Sequence, residues 1–133
     1  MNTNLDFYDD FLLEEEWKPY KISDRCFLFS KTVINFIQMC KYDRIYFSIF
    51  DQLVRSATSI GANVIEGKAG SSKKDWIKFM IIALKSSNET IYWLTLISET
   101  LSINQKEIRT LIHEANELSR ILGRIILNAR ERN

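Results

Sequence analysis

Apolar residues recur at spacings of three and four along four separate segments of this chain, and that period permits little besides amphipathic helices. In the first segment, roughly Ser23 to Lys41 with Ile22 just before it, the stripe is Ile22, Cys26, Phe29, Val33, Ile37 and Cys40. The second carries Ile49, Leu53, Ala57, Ile60 and Val64, and the third Trp76, Met80, Ala83, Leu84, Ser87, Ile91 and Leu94. On the fourth, Ile108, Leu111, Ile112, Ala115, Leu118, Leu122, Ile125, Ile126 and Ala129 share one side. Segments two to four each open with a cap signal: Ser48 with Asp51, Ser72 with Asp75, and Asn104 with Glu107. Such a side chain accepts from a backbone N–H that the first helical turn leaves without a partner. The connections are short, and short connections make consecutive helices antiparallel neighbours. The expectation is an all-α, antiparallel up-down-up-down four-helix bundle over residues 21–133, preceded by an extension at 1–20.

Composition supports this. A chain of 133 residues that is 46% hydrophobic forms one domain with a true core. One Pro and four Gly are too few for the turns of an all-β fold. The most hydrophobic run, Phe79 to Leu84, is closed by Lys78 and Lys85, far short of the roughly 18 apolar residues of a membrane span. The opening MNTNLDFYDDFLLEEEW is acidic where a signal peptide is basic, so the expected compartment is the cytoplasm, with no membrane contact.

The stretch from Ser59 to Trp76 gathers glycines beside basic residues. Gly67-Lys-Ala-Gly70-Ser-Ser-Lys-Lys lacks the order of a phosphate loop and follows a helix, where a phosphate loop follows a strand. Gly67 and Gly70 read as the joint after helix two, where glycine enters the left-handed conformation freely. Gly61 lies inside that helix at a cost of about 1 kcal/mol against Ala, which points to close approach by another helix.

Helix three has a second apolar side. Ile82, Trp93 and Leu96, with Ile81 and Tyr92 beside them, point away from the core stripe, and a bundle of this size has no interior for them. These residues are the expected subunit interface of a homo-oligomer. Helix four, by contrast, sets Arg109, His113, Glu117, Arg120 and Arg124 opposite its stripe. That face is either solvated and paired along the helix, or an arginine track for a phosphate backbone.

The net charge of +1 hides an asymmetry. Residues 1–20 hold six acids and one base (−5), leaving 17 bases and 11 acids (+6) for the rest. The acidic extension also carries Phe7, Tyr8, Phe11 and Trp17, so part of it is expected to dock. Cys26 and Cys40 lie about 21 Å apart along one helix, too far to bridge, and read as reduced core thiols. One His and no CxxC leave no metal site to expect.

Three stretches together resemble a known family: Leu53-Val-Arg-Ser-Ala-Thr-Ser-Ile-Gly-Ala-Asn-Val-Ile-Glu66, Ser72-Lys-Lys-Asp-Trp-Ile-Lys-Phe79 and Ile82-Ala-Leu-Lys-Ser-Ser-Asn-Glu-Thr-Ile-Tyr-Trp-Leu94. They are similar to the four-helix-bundle proteins encoded in intervening sequences of bacterial large-subunit ribosomal RNA genes. That family includes the accessory variability proteins of diversity-generating retroelements. The likeness spans about residues 22 to 130 and departs from the common motif at Gly61, where Pro is usual, and at Ile65, where Ala is usual. The resemblance implies a homopentameric barrel of bundles without catalytic activity. In the retroelement branch it implies a basic ring that engages a reverse transcriptase and nucleic acid.

An enzyme is not expected. Glu66 and Glu89 stand near Asn63 and Asn88 without an accompanying ExxH pattern, and these four residues are expected to form polar links between helices. No catalytic residue, cofactor, metal or small-molecule substrate is inferred. Two functions remain: a ring holding RNA, DNA or a nucleic-acid enzyme through Lys68, Lys73, Lys74, Lys78, Arg109, Arg120 and Arg124, or a protein–protein scaffold without nucleic-acid binding.

Overall fold

In the computed structural model, which describes residues 21–70 and 72–131, four long helices surround one core, and no strand occurs among the described residues. They are α1 (Ile22–Met39), α2 (Phe47–Lys68), α3 (Lys73–Thr100) and α4 (Gln105–Glu131). The acidic extension at 1–20, with its aromatics, lies outside the described residues. Each stripe read from the sequence meets the core: Cys26 and Val33 on α1, Leu53 and Ile60 on α2, Trp76 and Met80 on α3, and Leu118 and Leu122 on α4 have essentially no solvent exposure. Burying a side chain of that size contributes about 1.5–3 kcal/mol, so these residues dominate the stability of the fold.

Local signals set two of the helix starts. The Asp75 N–H donates to Ser72 Oγ at 3.1 Å, and the Glu107 N–H donates to Asn104 Oδ1 at 3.1 Å, as the two cap signals predict. The third signal is overturned. Ser48 lies inside α2, which starts at Phe47 with no side-chain cap. A 3₁₀ turn at Arg44–Tyr46 runs straight into the helix, and Tyr46 N–H donates to Asp43 O. Tyr42 stacks on Phe50 with ring centroids 4.2 Å apart, so aromatic packing sets the entry angle where a cap was expected.

The glycines also divide. A Cβ on Gly61 would lie 3.1 Å from Cys26 Cβ, so this position does permit the close approach of α1. Gly67 does not work as a helix stop: α2 continues through Lys68, and no described glycine has positive φ. Its role is steric. A Cβ there would stand 2.9 Å from Met80 Cε and 3.1 Å from Phe79 Cβ, so a bare backbone lets the first turns of α3 seat against α2. Gly70 likewise needs no left-handed φ, and its N–H donates to Gly67 O.

Hydroxyls join the helices through the apolar layers. Thr90 Oγ1 meets Ser56 Oγ at 2.9 Å, Ser59 Oγ meets Ser86 Oγ at 2.9 Å, and Ser87 donates to Ala115 O at 3.1 Å while also meeting Ser119 Oγ. Each buried hydroxyl is thereby satisfied, which avoids the desolvation cost of an unpaired polar group. The ring of helices is closed by Arg25 of α1 and Glu114 of α4, whose side chains are 19% and 29% exposed.

Candidate nucleic-acid interface and subunit surface

The basic residues do not form one cluster. Lys74 and Lys78 are exposed on the first turns of α3, with Lys73 half-buried beside them, and the Lys78 ammonium sits 5.7 Å from the Phe79 ring centroid. Arg109, Arg120 and Arg124 are exposed on α4. Arg120 donates to Glu117 at 3.0 Å, and this hydrogen bond, ahead of the neighbouring charges, holds the Glu117 carboxyl below its ordinary range. Lys68 stands apart from the surface expected for it. It is only 8% exposed, and its ammonium donates to Ser23 Oγ at 3.3 Å, because α2 runs long enough to carry it over the start of α1.

The four polar residues expected between helices take different places. Asn88 accepts from Ser119 Oγ at 2.9 Å, linking α3 to α4. Asn63 donates to Ser59 O and Ser59 Oγ within α2, and Ser59 in turn meets Ser86 of α3. Glu89 accepts from Trp93 Nε1 at 3.0 Å along its own helix, and Glu66 is exposed. Among the described residues no group of three or more His, Cys, Asp or Glu is placed to hold a metal ion. No helix among the described residues is long and apolar enough to cross a membrane.

The second side of α3 remains only partly covered in the single chain. Tyr92 is 61% exposed, and Ile81, Ile82, Trp93 and Leu96 are half-buried. Tyr92 and Trp93 pack edge to face at 5.0 Å, which gives this patch an aromatic centre.

A second exposed apolar surface lies elsewhere, and sequence reasoning missed it. A groove of about 580 Å³ runs between α1 and α2, lined by Phe27, Ile34, Ala62 and Ile65 over Gly61. Ile34 also borders a second hollow, of about 410 Å³, with Phe47 and Val54. Phe27 is 72% and Ile65 53% exposed. The signal was present: Phe27 and Ile34 fall off the core stripe of α1, as Phe47, Val54 and Ile65 fall off that of α2, at helical spacing.

A family model described as 23S rRNA-intervening sequence protein matches residues 18–124. Among solved structures, a protein with unknown function from the S23 ribosomal protein family of Bacteroides thetaiotaomicron VPI-5482 is similar to this chain. It is 32% identical with a TM-score of 0.73, over 79% of this chain and 97% of that one. No curated protein matches. With a family model matching through most of its length and a solved relative 32% identical over most of both chains, the chain belongs to the 23S rRNA-intervening sequence protein family.

Proposed function

We propose that this chain is a non-enzymatic, oligomeric accessory protein of the cytoplasm that associates with nucleic acid, or with an enzyme acting on nucleic acid such as a reverse transcriptase, through exposed basic side chains. The observation that carries this reading is the exposure of Lys74, Lys78, Arg109, Arg120 and Arg124 on a member of a family tied by name to ribosomal RNA. The helices are taken to run up-down-up-down. Supporting this, contacts between α1 and α2 descend in one helix as they rise in the other, from Ser23 with Lys68, through Cys26 with Gly61, to Ser30 with Ala57. The same order holds for Gly67 with Met80 and Ser56 with Thr90.

In that arrangement Lys74 and Lys78 lie at one end and Arg109 at the other, so a single chain offers two modest basic sites. Repetition around a homopentamer would bring copies of each site into a ring and multiply the field met by a phosphate backbone. The partly exposed Ile82, Trp93 and Leu96 support self-association through α3.

The test is light scattering on the full chain at two salt concentrations, followed by anisotropy titration of labelled RNA and DNA. A mass near five times 15.7 kDa and binding that weakens steeply with salt are expected. A monomer would overturn the ring. A pentamer indifferent to both nucleic acids would favour a protein–protein scaffold, a reading supported by the pairing of Arg120 with Glu117.

A further inference from the structure

The α1–α2 groove is an unfinished surface. Phe27, Ile34, Phe47 and Ile65 are large apolar side chains exposed along one line, and the two hollows share Ile34, so the surface is continuous. From Ser23 to Gln38, the α1 residues that border it, the line is about 22 Å long at 1.5 Å per residue. An exposed apolar stretch of this kind on a soluble chain ordinarily has an occupant.

We propose that the occupant is residues 1–20 of the same chain, folded back along α1 with Phe7, Phe11, Leu13 and Trp17 set over Phe27, Ile34 and Ile65.

Three observations point to this segment. The first is position: residues 1–20 join α1 at Lys21, directly beside Ser23 and Asp24, which line the near end of the groove. The segment must reverse before Lys21 to reach the groove, and Pro19 is compatible with that because it disfavours a helix running unbroken through its position. The second is length. Residues 5–17 span about 20 Å even as a helix and about 43 Å extended, so the segment matches or exceeds the groove in either form. The third is composition: the segment is apolar and aromatic as well as acidic at −5, and the rest of the chain carries +6. Its rings meet an apolar floor, while its carboxylates stay in solvent along a rim that carries Lys31 as well as Asp24 and Asp51. A ring of copies needs two different faces on each chain, so a second copy seated in the groove is the alternative that adducts at two-chain mass would reveal.

The proposal is tested on the full chain by placing a photocrosslinker on the groove floor, Ala62→p-benzoylphenylalanine, and mapping the adducts by mass spectrometry. The expected product links position 62 to a peptide within residues 1–20 and runs at one-chain mass on a denaturing gel. Adducts at two-chain mass, whether to a helix or to residues 1–20 of another copy, overturn it, as does the absence of any adduct to residues 1–20. A second measurement does not depend on the bulky probe. In full-length Ile65→Cys, alkylation at position 65 should accelerate several-fold when Phe11→Ser and Trp17→Ser are added. An unchanged rate means that these residues do not cover the groove.

Discussion

Arg25 grips Glu114 with two hydrogen bonds, Nε to Oε2 at 2.7 Å and Nη2 to Oε1 at 2.9 Å, and so ties α1 to α4 across 89 residues of chain. The hydrogen bond to Glu114 raises the guanidinium above its ordinary value against the opposing effect of burial, so Arg25 keeps its charge in this partly buried position. A fork-to-fork pair sheltered from solvent is worth more than a surface ion pair. Arg25→Ala and Glu114→Ala, combined in a double-mutant cycle by chemical denaturation, should show a coupling of about 1–2 kcal/mol. The exposed pair Arg55 and Asp51, four residues apart on α2, should show less than about 0.5 kcal/mol and lose most of it in high salt.

Two glycines within helices should respond oppositely to the same substitution. Gly67→Ala sets a methyl 3.1 Å from Phe79 Cβ and 3.2 Å from Trp76 Cε3, and although the Met80 end can swing aside, the variant should destabilise by about 1 kcal/mol despite its better helix propensity. Gly123 has nothing within 4 Å of its would-be Cβ, so Gly123→Ala should stabilise by about 0.5–1 kcal/mol. Denaturant midpoints at matched protein concentration decide both signs.

The cysteines should separate by reactivity and by pH. Burial pushes the Cys26 thiol up to about 12, the Glu114 carboxylate adding to the effect and Arg25 opposing it. Cys40 is raised by its partial burial and then by Glu107. Alkylation at pH 8 should mark Cys40 first and reach Cys26 only on unfolding. Unfolded chains release the Cys26 proton near 9.0 and folded ones hold it to about 12. In that window the unfolded state binds fewer protons, so stability falls as pH rises, by at most about 4 kcal/mol. Cys26→Ala should flatten this part of the pH–stability curve relative to the parent.

If both basic ends engage nucleic acid, Lys74→Glu and Arg109→Glu should each weaken RNA binding, and each should lower the salt slope by about 1 for every phosphate that the variant no longer neutralises. Their effects on binding free energy should add, because distant sites with no shared partner do so. Weakening confined to Lys74→Glu would assign the RNA-binding site to the start of α3 alone.

The four helices, their core stripes and the caps at Ser72 and Asn104 were legible in the sequence, because each depends on residues three or four apart and every such relation is local. Gly61 was legible for a related reason: a helix interior tolerates glycine only where something else approaches closely. What required the tertiary structure was which faces and residues meet. The partnership of Arg25 with Glu114, the steric role of Gly67, the burial of Lys68 against Ser23 and the aromatic entry to α2 that displaced the Ser48 cap all arise from segments meeting in space. So does the groove of Phe27, Ile34 and Ile65, whose members sit off-stripe on two helices and become one surface only when α1 and α2 pack together. Periodicity reports which side of a helix is apolar; which neighbour covers that side, and which apolar side is left uncovered, is set by how the whole chain packs.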